Sequence, residues 1–208
     1  MLPGPFIIRE CPECSKSFTE MTMASGNTFG AKLWSDMRFD APMMMKTHQC
    51  GVCPECDAFM WLKKTREIGR IQWEDLKSSK YSESKLYEFP TIDNYINTLK
   101  DSTLNIHDEL YIRVELLHTL NDHFRREIPL PNLSEFSKEN KLRLIELLDD
   151  SDDNRLLKAE LHRELGDFPS AIAILKGDFR ADRRWVADAL GKLCEDKNVN
   201  VVCLEKES

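Results

Sequence analysis

Apolar positions along this chain change their period near residue 90. In the first part, Phe18-Thr19-Glu20-Met21-Thr22-Met23 alternates apolar and polar side chains, which predicts a half-buried strand. Ser25 to Gly30 reads as a turn, and Ala31-Lys32-Leu33-Trp34 returns as the next strand. Asp40-Ala41-Pro42 interrupts the chain again before Met43-Met44-Met45. The period becomes helical further on. Ile92, Tyr95, Ile96 and Leu99 share one face, with Thr91 or Asp93 as a cap. Leu110, Val114, Leu117 and Phe124 mark a longer helix ended by Pro129 and Pro131, and Leu142, Ile145 and Leu148 mark another. Asp149 to Asp153 supplies a break and an acidic start for the next helix, and a last helix near Arg180 to Asp196 aligns Val186, Leu190 and Leu193.

This change of period predicts an α+β protein in two parts. A small antiparallel sheet occupies residues 1–72, a polar, serine-rich linker follows at 73–90, and a helical domain spans 91–208.

Cysteine usage singles out the first part. Five of the seven cysteines lie before residue 60, and Cys11-Pro12-Glu13-Cys14 is repeated as Cys53-Pro54-Glu55-Cys56. A two-residue spacer turns both sulfurs of such a unit inward, and the proline stiffens the turn. Two units present four thiolates to one tetrahedral ion. Sulfur ligands select zinc over magnesium or calcium, and a closed four-sulfur shell leaves no place for water, so one structural zinc per chain is expected on Cys11, Cys14, Cys53 and Cys56. A rubredoxin-like iron centre uses the same four sulfurs and would make the chain an electron carrier. Cys50 offers an alternative pair with Cys53, and His48 is a possible replacement ligand, but only Cys53 and Cys56 reproduce the first knuckle. The sheet is too small to bury much apolar surface, so the metal is expected to supply folding free energy.

The run CPEC, SGNTFGAKLWSD, APM and CPEC followed by AFMWL resembles a group of uncharacterised bacterial zinc-ribbon proteins with two Cys-Pro-x-Cys knuckles. The resemblance covers the first third of the chain and implies a bound zinc and a bacterial source, with no established activity. Ser15 and Asp57 depart from it, since such knuckles usually carry glycine after the second cysteine. That departure loosens the expected turn.

In the second part, NRLLKAELHRELGDFPSAIAILKG, residues 154–177, predicts a helix ending near Gly166, a turn at Asp167-Phe168 and a second helix through Ala171, Ile172 and Leu175. Small Ala159 and Ala171 let two antiparallel helices approach closely. The Gly-Asp-aromatic turn followed by alanine resembles a tetratricopeptide repeat, although the tryptophan-leucine-glycine start of a full repeat is absent. The expected architecture is thus a small zinc-ribbon sheet followed by an α-helical bundle of repeat-like hairpins.

Charge and missing motifs narrow the function. Residues 1–70 hold 9 basic and 8 acidic side chains, whereas the remainder holds 20 and 28. An acidic helical half disfavours non-specific nucleic-acid binding. Lys63, Lys64, Arg66 and Arg70 beside Trp61 and Trp73 keep a nucleic-acid-binding zinc ribbon as the alternative. There is no HExxH, Walker loop or GxSxG, and Glu115 with His118 has no second carboxylate–histidine pair, which reads it as a surface pair. Arg180, Arg183 and Arg184 beside Trp185 read as a solvated helix face. No apolar run reaches the length of a membrane span, and the N-terminus lacks the basic start and apolar stretch of a signal peptide. The expectation is a cytoplasmic zinc-binding scaffold or protein-interaction module, not an enzyme, that meets another protein through its helical domain.

Overall fold

The computed structural model describes residues 1–126 and 134–205. Among these described residues are eleven short strands, seven α-helices and two single-turn 3-10 helices. In chain order the first strands are β1 (Leu2–Pro3), β2 (Phe6–Glu10), β3 (Ser17–Glu20), β4 (Met23–Ser25), β5 (Lys32–Trp34) and β6 (Phe39–Asp40). Next come β7 (Cys50–Val52), β8 (Phe59–Trp61), β9 (Arg66–Ile71) and β10 (Lys85–Leu86). The helices are α1 (Ile92–Thr98), α2 (Ile106–Leu120), α3 (Asp122–Arg126), α4 (Ser134–Leu147), α5 (Asp152–Glu164), α6 (Phe168–Leu175) and α7 (Ala181–Glu195), followed by β11 (Cys203–Leu204). The α+β class holds. The chain divides into two compact units, one of Met1–Ala31 with Ala41–Asn94, the other of Lys32–Asp40 with the chain from Tyr95 onward.

In the first unit β2 is one of the two inner strands of a four-stranded sheet ordered β10-β3-β2-β9. Its residue Ile8, opposite the buried Thr19 of β3, is fully buried, as is Phe18 of β3. Neither β2 nor β9 was among the expected strands, although Phe6-Ile7-Ile8 is the apolar run that fills the sheet. The expected strand at 18–23 is two strands. β3 stops at Glu20, and after Met21-Thr22 the chain enters β4, which pairs with β1. Nor is the sheet wholly antiparallel, because β10 runs parallel to β3.

That β10 pairing shows what the polar stretch 73–90 does. Thr19 donates its hydroxyl to the Ser84 carbonyl at 3.1 Å, and the Tyr87 amide donates to the Thr19 carbonyl at 3.1 Å. The pairing of β2 with β9 shifts by one residue between Ile8 and Arg9, leaving Ile68 as the extra residue of a bulge. Its carbonyl accepts the Tyr81 hydroxyl at 3.0 Å. Polar composition at 73–90 therefore reflects side chains turned to backbone edges and to solvent.

In the second unit, β5 forms as a strand but pairs with β6 and β11, not with the sheet of the first unit. The Leu33 and Met37 side chains pack on the helical core instead. Most of that core comes from Leu156, Ala159, Ala171, Val186, Ala187 and Leu190. Ala159 and Ala171 are both fully buried where α5 meets α6, as their small size predicts. The turn between these helices is a paired C-terminal cap. The Asp167 amide donates to the His162 carbonyl at 2.8 Å and the Gly166 amide to the Arg163 carbonyl at 2.9 Å, with Gly166 at φ 77°. Asp167 then caps α6 by accepting from the Ser170 amide at 3.3 Å.

Two helical expectations shift. The helix expected to run from Leu110 to Phe124 breaks at Asn121, whose buried side chain donates to Asp36 at 3.1 Å. Its other donations, to Glu164, are at 3.3 and 3.4 Å. Pro129 and Pro131, expected to end that helix, lie outside the described residues. On α4 the buried leucine is Leu144, while Leu142 is 47% exposed, so the core-facing stripe is rotated from the one expected.

Candidate metal centre

Each Cys-Pro-Glu-Cys tetrapeptide forms the tip of a hairpin, and the two tips are built alike. The first joins β2 to β3, with Glu10 opposite Ser17; the second joins β7 to β8, with Val52 opposite Phe59. Both therefore close after the same number of residues. In the first, the Cys11 amide donates to the Lys16 carbonyl at 2.9 Å and the Ser15 amide to the Cys11 carbonyl at 3.0 Å. The second repeats this with Cys53 to Ala58 at 2.9 Å and Asp57 to Cys53 at 3.0 Å. Ser15 and Asp57 adopt φ values of 58° and 59°. They take up the left-handed conformation that glycine ordinarily supplies, so their departure from glycine does not loosen the turn.

These tips bring the four expected ligands together. The Sγ atoms of Cys11, Cys14, Cys53 and Cys56 all lie within 4.8 Å of one another. The cross-knuckle pairs Cys11–Cys56 and Cys14–Cys53 are each 3.8 Å apart. Thiolates at about 2.3 Å from one tetrahedral zinc sit about 3.8 Å from each other, so these separations suit a four-sulfur metal site. They are far beyond the roughly 2.05 Å of a disulfide, and all four thiols are free. The first cysteine of each knuckle is buried and the second is more open, Cys14 half-buried and Cys56 exposed.

The electrostatics of four clustered thiols also favour a cation. Burial pushes the Cys11 thiol up, but the backbone amides of Cys14 and Glu13 outweigh it and the net shift is downward. For Cys53 burial dominates over the amides of Glu55 and Cys56, and its thiol is raised. The Ala58 amide favours the Cys56 thiolate, yet burial and the three neighbouring sulfurs together push that thiol up to about 12. The Cys11 thiol is thus lowered while those of Cys53 and Cys56 are raised, and a divalent metal ion would offset the repulsion among their thiolates.

Beneath the sulfurs lies a small core of Phe18, Met60 and Leu62 packed with Cys11 and Cys53. Cys50 and His48 are not in the four-sulfur group. Cys50 is buried in β7 opposite Trp61, and the His48 ring stacks on Phe89 at 4.6 Å. Cys194 belongs to the core of the second unit, and Cys203 lies opposite Trp34.

The basic residues after the second knuckle meet neighbouring groups. Lys64 lies over the Trp61 ring at 5.0 Å; Arg66 pairs with Glu10 and Arg70 with Glu67, each at 2.6 Å. Arg180, Arg183 and Arg184 likewise pair with Asp152, Asp153 and Asp188. Glu115 and His118 do not form a surface pair. Glu115 is buried, and the His118 Nε2 lies 3.1 Å from the Asp36 carbonyl oxygen.

A second cluster, not foreseen, occupies the helical unit. Arg163 and Glu160 are fully buried and joined by two hydrogen bonds of 2.7 and 2.6 Å. Arg163 also donates to the carbonyl oxygens of Asn198 and Asn200 and to the Ser35 hydroxyl. Nearby, buried Asp36 pairs with Arg125, and Glu164 pairs with Lys141 at 2.8 Å. Burial raises the carboxyls of Glu160 and Glu164, whereas His118 and Arg125 overcome burial at Asp36 and lower it. Its one sequence signal is that Glu160, Arg163 and Glu164 interleave with Leu156, Leu157 and Leu161 on the buried stripe of α5. No described helix is long and apolar enough to cross a membrane. Comparison with protein-family models, curated proteins and solved structures finds no match to this chain.

Proposed function

We propose that this chain is a zinc-binding protein of the interaction or scaffold type, in which one structural zinc on Cys11, Cys14, Cys53 and Cys56 holds the first unit in a zinc-ribbon form. The observation that carries this reading is the convergence of four Sγ atoms within 4.8 Å from two hairpin tips of the same construction. Soft sulfur donors favour zinc over magnesium and calcium, and four of them fill a tetrahedral shell. Such a metal joins two hairpins and does no chemistry of its own. The small core beneath it makes the ion a substantial part of the unit's stability.

The helical unit, with its tetratricopeptide-like α5–α6 hairpin, is the surface for another protein. Ile106, Phe136 and Leu142 are each at least 45% exposed on its helices, which supports an apolar contact there. Nucleic acid is the less favoured partner, because Arg66 and Arg70 are already paired with carboxylates.

Elemental analysis of protein purified without added metal tests the centre. One zinc per chain, lost in both Cys11→Ser and Cys56→Ser, is expected. Iron with a visible charge-transfer band would replace the reading with electron transfer, and no metal would end it. For the second part, a partner retained at physiological salt by the native chain and released by Leu142→Glu is expected. Retention by both would place the contact elsewhere.

A further inference from the structure

The helical unit contains a cavity of about 510 Å³ where the ends of α2 and α5 meet the start of α4. Its size lies within the range of small-molecule sites. Glu164, at the end of α5, lines it with a side chain only 1% exposed. That carboxyl is already satisfied, by the Lys141 ammonium at 2.8 Å and by the Asn121 amide at 3.3 and 3.4 Å. One turn earlier on α4, Lys138 lines the same cavity and is exposed, and it has no carboxylate partner among the described residues. Ser134 and Ser137, from the first turn of α4, line it as well, where the helix dipole favours negative charge. Leu120, Phe124, Leu165 and Val199 provide apolar wall.

We propose that this cavity binds a small organic anion, with its negative head between Lys138 and Lys141 and its apolar body against Phe124, Leu165 and Val199. Two lysines outweigh the single carboxyl, so the lining is net positive. A cationic ligand would have to displace Lys141 from Glu164 and then face Lys138. A neutral ligand would desolvate the lysines without return.

The full-length protein is titrated with 8-anilinonaphthalene-1-sulfonate, an anion with an apolar body, and binding is followed by fluorescence at pH 8. One saturable site per chain is expected. Lys138→Glu should weaken it by about tenfold or more, the change that ~1.4 kcal/mol produces, and Glu164→Gln should tighten it. Lys77→Glu, an exposed reversal in the other unit, controls for net charge and should leave affinity within about twofold. Absence of saturable binding overturns the proposal. So does a Lys138→Glu affinity no weaker than that of Lys77→Glu, or weaker binding in Glu164→Gln.

Discussion

Ser15 and Asp57, 42 positions apart in the chain, are structural counterparts, at φ 58° and 59° directly after Cys14 and Cys56. Each closes its knuckle by donating its amide to the carbonyl of the first cysteine at 3.0 Å. Both are exposed and polar, so the backbone conformation, not side-chain packing, determines what these positions tolerate.

The left-handed conformation costs an L-residue roughly 1–2 kcal/mol, and a β-branched side chain suffers most. Asp57→Val is therefore expected to destabilise the metal-loaded first unit by about 1–2 kcal/mol, while Asp57→Gly is neutral or slightly stabilising. Urea unfolding of both variants checks this; equal losses would mean that the aspartate side chain matters more than its φ.

Lys197 offers the same test without a metal. It sits at φ 52° after α7, its amide donating to the Cys194 carbonyl at 3.1 Å, while the Asn198 amide donates to the Leu193 carbonyl at 3.0 Å. That is the cap glycine makes best, as Gly166 does after α5. Lys197→Gly should raise the stability of the helical unit by about 0.5–1 kcal/mol. An unchanged melting temperature would contradict the expectation.

The Arg163–Glu160 pair joins α5 to the carbonyls of Asn198 and Asn200 and to Ser35. Removing one member leaves a buried charge uncompensated. Arg163→Met should cost about 3–5 kcal/mol, and a double variant with Glu160→Leu should recover part of that loss. A double-mutant cycle by denaturant melts measures the recovery, and strictly additive losses would show that the two act independently.

Glu164 gives the helical unit a pH dependence of known sign. Burial, aided by the nearby Glu160 and Asp36 and opposed by Lys141, raises its pKa from 4.5 to about 7 in the folded chain. Between those values the folded chain holds a proton that the unfolded chain has lost. The stabilisation is complete below pH 4.5 and disappears as the pH rises to about 7, amounting to about 3 kcal/mol at most. Urea melts of the native chain and Glu164→Gln at pH 5, 6, 7 and 8 measure it. The difference in stability between them should change across this range in favour of the variant as pH rises, and a constant difference would refute the assignment.

Chelation should act on one unit only. Adding a chelator to protein carrying the proposed zinc is expected to abolish near-ultraviolet signals from the first unit while the helical circular dichroism of α5 to α7 persists. Joint loss of both would show that the units unfold together.

What could be read in the chain was local or repeated. The two identical tetrapeptides place four sulfurs because each knuckle is a turn of fixed length, a property of six consecutive residues. The α5–α6 hairpin was legible for a similar reason, with Gly166, Asp167, Ala159 and Ala171 encoding a cap, a start and a close approach within about twenty residues. Lys32–Trp34 pairs with the neighbouring β6 and also with β11, more than 160 residues away, and pattern within a strand carries no information about such a distant partner. The break at Asn121 and the burial of Glu160, Arg163 and Glu164 have the same origin. A charged side chain enters an apolar stripe only when counter-charges and carbonyls from distant segments receive it, and Asp36, Arg125, Lys141 and Asn198 come together only in the folded unit. Turn geometry and helix period are short-range and belong to the sequence; pairing between strands and compensation of buried charge are long-range, and tertiary structure alone decides them.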